Sequence, residues 1–412
     1  MRALKYFVLA TLLAFIVTSI GCSRKAQKTD TAMQHEEHMP IPTANNKFAF
    51  DLLNEIPYND DNMVVSPFSI STALAMTYTG ARRTTLEEMA AIMHFDRNQE
   101  RFHREYGEYL ASLNKMAADN IQLNIANSLW AQEDYTFLNS FFEINKQHYG
   151  SETFQVNFRT NREQVRTNIN DWVYDETREK IKDLIAPGVL TDDTRLVLVN
   201  AIHFFGPWLT EFDPEITREN VFFLQDGQTV MAHFMHRSEH FNYYQDEQLQ
   251  ALEIPYSGED FSMLLVLPGE GTPLQEIEKE MNADSFARII NEMQHKEVDV
   301  FVPKYEAETK LDLEETLMAM GMRKPFNREA DFSGMTGNLD LKIDKVIHQA
   351  MIEVAEEGTE AAAATAVVII RKTSIDPDPR TIFMANRPFM FFIKDNTHNS
   401  ILFAGRVMNP SK

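Results

Sequence analysis

Few residues in this chain have the types and spacing that catalysis needs. No Gly-x-Ser-x-Gly stretch occurs in its 412 residues, so a nucleophilic serine would lack its sharp turn. The one cysteine, Cys22, follows directly on an apolar leader, which excludes cysteine catalysis. His35-Glu36-Glu37-His38 gathers four possible zinc ligands, but lacks the two intervening positions of the His-Glu-x-x-His helix motif. It reads as a solvated polar patch. Elsewhere no His/Cys/Asp cluster has metal spacing, and the carboxylates are scattered. Pro268-Gly269-Glu270-Gly271 follows a strand, yet its glycine pattern is incomplete and no lysine opens a helix after it. It is a turn. The expectation is a protein that is not an enzyme, with neither metal nor cofactor.

Residues 355 to 374 carry chemistry of another kind. Ala361, Ala362, Ala363 and Ala364 favour helix, while Thr365 to Ile370 is mostly β-branched and favours strand. Gly358 marks a bend before the run, and Pro377 and Pro379 stop extended pairing after it. At a period of two, one face carries Thr359, Ala361, Ala363, Thr365, Val367 and Ile369, none of them charged. The other carries Glu360, Ala362, Ala364, Ala366, Val368 and Ile370. Such a segment can enter the middle of a sheet, whereas Arg371-Lys372 at its end wants water. Two environments in one stretch suggest a moving part; a helical linker followed by a buried strand is the alternative.

The run Glu356-Glu357-Gly358-Thr359-Glu360-Ala361-Ala362-Ala363-Ala364-Thr365 resembles the hinge of the serpin reactive-centre loop. Ala366-Val367-Val368-Ile369 continues it as the antithrombin loop does. The resemblance implies an α+β fold: a large central mixed β-sheet, two further sheets, eight or nine helices and an exposed loop over about 356–380. It also implies a suicide-substrate inhibitor of endopeptidases. The protease acylates itself on the loop, and the severed segment then inserts into the main sheet. Counting from Gly358 along that loop type puts the cut bond at Lys372–Thr373, with Arg371–Lys372 as the alternative. A basic residue there suits trypsin-like enzymes. Val367, Val368, Ile369 and Ile370 offer additional bait to elastase-like enzymes, and the lysine to Lys-specific cysteine proteases. The rival within the family is a non-inhibitory binding or carrier protein, but such members usually carry bulky, charged or proline hinge residues.

The elements that position this loop are legible in order. A helix is expected from Asn45, with Phe48, Leu52 and Leu53 on one side, and a second over Ser71 to Tyr78. Ser66 and Ser69 before it sit among apolar neighbours, where helix capping is the simplest account. Ile121 to Trp130 alternates as a strand with one wet face. Asn161 and Gln164 form a capping pair for a helix burying Val165, Ile169, Trp172 and Val173. Leu196 to Phe205 is nearly continuous apolar sequence interrupted by Asn200. Two hairpins follow, over 252–267 and at the carboxyl end. The resemblance makes Ser66, Ser69, Asn200 and His348 a shutter holding the main sheet closed. It places Trp208 at the breach where the loop inserts.

Composition sets the surroundings. A formal net charge of −22 argues against nucleic acid or an anionic membrane as a partner of the folded body. Residues 1–21 read as an export signal of bacterial type, too short at their apolar centre to span a bilayer. Cys22 resembles the lipidated first residue of a bacterial lipoprotein, with ordinary signal cleavage as the alternative. Residues 22–44 have tether composition, leaving 45–412 as the serpin domain. The expected location is the bacterial outer membrane or cell surface through that anchor, otherwise periplasmic or secreted. Phe102 to Lys115, where the family's basic helix falls, mixes acids with bases, which argues against heparin activation. The expected partners are target proteases, with the chain itself a monomer.

Overall fold

The first helix, α1 (Ile41–Glu55), starts at Ile41 rather than Asn45. Pro40 stands at its N-cap and Pro42 in its first turn, where a missing N–H removes no helix bond. The prolines that look like the end of a tether therefore begin the fold. The structure, a computed structural model, describes residues 38–117, 121–359 and 380–412. Chain contacts divide the protein into Met1–His38 and Met39–Lys412, and every element below lies in the second unit. Cys22 and the leader fall outside the described residues.

After α1 come β1 (Met63–Val65), α2 (Pro67–Tyr78), α3 (Arg83–Met93) and α4 (Gln99–Met116). The middle of the chain gives β2 (Gln122–Gln132), α5 (Asn139–Tyr149), β3 (Glu152–Val156), α6 (Phe158–Glu176) and β4 (Leu196–Pro207). Four antiparallel strands follow: β5 (Arg218–Phe223), β6 (Thr229–Gln245), β7 (Leu249–Pro255) and β8 (Phe261–Pro268). Then come α7 (Leu274–Glu280), α8 (Ala283–Glu292), β9 (Gln294–Pro303), β10 (Tyr305–Asp312), α9 (Glu314–Met320) and α10 (Ser333–Thr336). The chain closes with β11 (Lys345–Val354), β12 (Gly358–Thr359), β13 (Thr381–Met384), β14 (Phe389–Asp395) and β15 (Ile401–Val407).

Among the described residues these strands make two sheets. The mixed one has six strands in the order β10-β11-β12-β4-β2-β3, and β11 also pairs β4 directly. The other has nine, β1-β15-β14-β8-β7-β6-β9-β13 with β5 on β6. It unites the two smaller sheets that the resemblance implies. The reason is β6, whose 17 residues pair with β5 and β9 and, at their far end, with β7. Ten helices are described; the count passes nine because the four-residue α10 is included.

Two local expectations change. The cap of α6 is Asn157, whose side chain accepts from the Thr160 N–H, while Asn161 sits at a kink with φ −126°. Gln164 reaches Asn168 instead of a cap. On β2 the wet face is confined to its start, since every residue from Asn127 to Gln132 is buried. The cause is α6. Its Phe158, Val165, Ile169 and Val173 form a separate core with Trp130 of β2, Val197 and Val199 of β4, and Ile347 of β11. This helix lies across the mixed sheet, and its apolar stripe covers a face that alternation alone would leave in water.

Candidate functional site

The site lies in the mixed sheet, where β4 and β11 run side by side and then part. They pair in parallel from Lys345↔Val197 to Ala350↔Ile202. Beyond that point β12 occupies the space between them. Thr359 pairs with Val354 on one side and Gly206 on the other, and Gly358 pairs with Pro207. Closure of the turn is reciprocal: Ala355 N–H donates to the Gly358 carbonyl at 2.9 Å, and Gly358 N–H to the Ala355 carbonyl at 3.3 Å. Gly358 is dictated by proximity, because a Cβ there would stand 2.2 Å from the Gly206 oxygen.

Thr359 is fully buried, and its hydroxyl lies 2.7 Å from that of Tyr256. Burial pushes the Tyr256 phenol far above its ordinary range, so it stays neutral and able to donate. The Tyr256 ring stacks on Trp208 at 4.6 Å and meets the edge of Phe204 at 4.9 Å. Trp208 in turn holds the turn: its indole N–H donates to the Ala355 carbonyl at 3.0 Å and its backbone N–H to that of Glu357 at 2.9 Å. Phe212 N–H donates to the Glu356 carbonyl at 2.9 Å. On the flank of the Phe212 ring, 4.8 Å away, is the guanidinium of Arg237, which burial lowers to about 10.

Glu356 is held by its side chain as well. Lys304 lies 2.7 Å from one carboxylate oxygen, and the Thr217 hydroxyl donates to the other at 2.9 Å. Burial works to raise this carboxyl, but the Lys304 bond, a backbone N–H and Thr217 outweigh it, so its pKa is lowered. The turn between β11 and β12 is therefore gripped at every residue from Ala355 to Gly358.

Further down the seam a second polar group joins the sheet to α2. Ser66 caps α2, accepting from the Ser69 N–H at 3.1 Å, and its hydroxyl donates to the Leu402 carbonyl of β15 at 2.6 Å. The Ser66 N–H donates to Nε2 of His348 on β11 at 3.0 Å. An Nε2 that accepts leaves the ring proton on Nδ1. Burial lowers the His348 pKa to about 3, so the ring is neutral. His348 pairs in register with Asn200 of β4, which in turn faces Asn127 of β2. Capping and sheet-holding thus describe the same Ser66.

Of the residues singled out from sequence, Ser66, Ser69 and His348 come together at the lower seam, where His348 pairs in register with Asn200. Glu357, Gly358, Thr359 and Trp208 come together above it. Glu360 to Thr365, Val367, Val368, Ile369, Ile370, Arg371, Lys372 and Thr373 lie outside the described residues. Sequence reading missed Tyr256, Lys304 and Thr217. Tyr256 ends a run of buried strand residues with a hydroxyl that needs a partner, which is a signal of a sort. Its partner is 103 positions away in the chain, and no local pattern names it.

A mixed sheet whose central strands part around the two residues of β12, beneath a helix laid across them, defines one class of protein. A family model described as Serpin (serine protease inhibitor) matches residues 43–410. The chain belongs to the serpin family. It is 38% identical to human Serpin B4 over 390 residues, covering 90% of this chain and 99% of that protein. It is 37% identical to the leukocyte elastase inhibitor of Sus scrofa, with 90% and 99% covered. Among solved structures, human thyroxine-binding globulin with its hormone superposes at a TM-score of 0.81, with 31% identity over 90% of this chain and 99% of that one. The proteins it resembles thus include one named as an elastase inhibitor and one solved with bound thyroxine.

Proposed function

We propose that this chain is an inhibitory serpin that traps endopeptidases as acyl-enzymes. The observation that carries the reading is Thr359, already seated between β4 and β11 with ladder partners on both sides. A small neutral residue leads the segment, and the sheet below it closes by direct β4–β11 pairing that the segment would replace. The protease nucleophile attacks the Lys372 carbonyl. The peptide bond to Thr373 breaks, the new amino group leaves with the carboxyl-side segment, and an ester or thioester joins Lys372 to the enzyme. Thr359 to Ile370 then runs into the sheet and carries the enzyme with it before water reaches the bond.

About a dozen inserted residues would gain ladder bonds worth roughly 0.5–1.5 kcal/mol each. Their sum is comparable with the ~5–15 kcal/mol stability of a whole domain, so the uninserted form is held by kinetics. In this reading Ser66, Ser69, Asn200 and His348 form the shutter, and Trp208 with Tyr256 the breach. Targets are trypsin-like serine proteases, with elastase-like and Lys-specific cysteine proteases served by Val367 to Ile370 and Lys372. The leader and Cys22 support export and a lipid anchor; radiolabelled palmitate retained by Cys22→Ala would exclude that anchor.

Incubation with trypsin followed by a denaturing gel tests the main reading. A detergent-resistant band at the summed mass of the two proteins is expected. A cleaved chain without any such band would point instead to a binding or carrier protein.

A further inference from the structure

We propose that a cavity of mixed charge at the foot of β4 and β11 receives Lys372 after the severed loop has run the length of the sheet, holding the new C-terminal lysine by its ammonium and its carboxylate. The proposal rests on the insertion reading above and adds the place where the segment ends. The cavity, about 320 Å³, is lined by Asp193, Arg195, Arg328, Leu339, Asp340 and Lys342 among others.

Register leads to it. Where β4 and β11 pair directly, partners differ by 148 positions, as in Lys345↔Val197 and Ala350↔Ile202. Val354 and Gly206, the residues on either side of Thr359, keep the same difference. A strand continued from Thr359 can therefore pair with both neighbours without a slip. Each further residue comes level with the next lower number on either side. Ile369 thus meets Leu196, the first residue of β4, and Val368 meets Lys345, the first of β11. Three positions beyond Ile369, Lys372 comes level with Asp193 and Leu341, which both line the cavity.

Charge fits the same residue. Part of the lining already serves the wall: Arg195 donates to the Asp192 and Thr194 carbonyls at 2.8 and 2.9 Å. Asp344 accepts from Lys342 at 2.7 Å and from the Arg195 backbone N–H at 3.0 Å. The remainder is complementary to a C-terminal lysine. Asp340 and Arg328 are exposed, and among the described residues neither side chain makes a hydrogen bond or ion pair. Asp193 meets Arg195 only at 3.9 Å. Asp193 and Asp340 suit the ammonium, Arg328 the carboxylate, and exposed Leu339 the aliphatic stem. The carboxylate arises when water cleaves the bond and Thr373 leaves as the amine. Arg371 and Lys372 are the only arginine or lysine between Lys345 and Arg380, so no other part of that stretch offers the same match.

The test uses the full chain nicked by trypsin. Nicked protein is collected after trapped enzyme has been released under mildly alkaline conditions, and its mass confirms the cut. The readout is the rate at which a carboxypeptidase specific for basic C-termini trims Lys372. Wild type is compared with Asp193→Asn/Asp340→Asn, with Arg328→Ala, and with a control at exposed positions outside the cavity, Glu55→Gln/Asp60→Asn. Trimming should quicken about fivefold in the first variant, about threefold in the second and less than about twofold in the control. In about 1 M salt wild type should be trimmed as fast as the cavity variants. Every nicked chain should melt above its intact form. Equal trimming of wild type and both cavity variants, with melting raised, overturns the docking of Lys372 and leaves insertion standing. A nicked wild type that melts no later than the intact chain overturns insertion, and the docking with it.

Discussion

The two ends of the β4–β11 seam are closed by different means. At the upper end the strands have already parted, and the chain's own Gly358 and Thr359 fill the space with ladder bonds. The side chains there include a half-exposed ion pair, Lys304 being 42% exposed. At the lower end no loop intervenes. Fully buried Ser66 and a neutral imidazole lash β11 to α2 and β15. Opening from above exchanges one strand partner for another, whereas opening from below strands buried donors and acceptors at about 1–3 kcal/mol each. The seam is built to part from the top.

The sharpest way to break this contrast is Thr359→Arg. A cation at a fully buried position between two strands has no partner to pair with, so the segment cannot lead itself in. Trapping should vanish and the chain become a plain substrate, the stoichiometry of inhibition rising at least about tenfold. An unchanged stoichiometry would sink the insertion account.

Acidification should strike the lower end first. The folded-state pKa of His348 is lowered from 6.5 to about 3 by burial. The unfolded chain therefore takes up a proton below about pH 6.5 that the folded chain refuses, and stability falls as pH drops from 6.5 toward 3. His103, lowered to about 3 by burial, His148 and Arg82, adds a second such proton. Each group removes up to ~1.4 kcal/mol per pH unit across that window. Glu356, whose pKa is lowered, contributes stability that goes only below about 4.5. Urea midpoints at pH 7.5 and 5.0 should thus differ, with His103→Phe removing part of the difference. A flat profile over that range contradicts the neutral imidazole.

A smaller effect is expected from Ser66→Ala. Losing the hydroxyl leaves the Leu402 carbonyl and the Ser69 N–H without it, at about 1–3 kcal/mol, read as a lower unfolding midpoint. Hydrogen exchange should quicken in α2 and β15 while Thr359 keeps its protection. Equal loosening at both ends would erase the distinction between them.

Much of this was legible in the chain. The alternating small residues after Gly358 announce a segment fit for a sheet interior, and Asn200 amid apolar β4 announces a seam that needs polar company. Covering was not legible. Alternation gave β2 a wet face that α6 in fact closes along the second half of the strand. Partnering across distance was also hidden: Tyr256 with Thr359, and Lys304 with Glu356, are joined only by topology. The local pattern puts the cap of α6 at Asn161, four residues late, because the kink there is a feature of the fold and not of that pattern; the cap is Asn157.

Helix α6 lies over β2, β4 and β11 like a bar across double doors, with Phe158, Val165, Ile169 and Val173 pressed on both leaves. Any widening between β4 and β11 must slide those side chains over one another before a full-length strand can settle beneath them. If the proposed trapping holds, the tightness of that seat sets its timing: too firm, and a captured enzyme would be freed by water; too loose, and the doors would open unprompted.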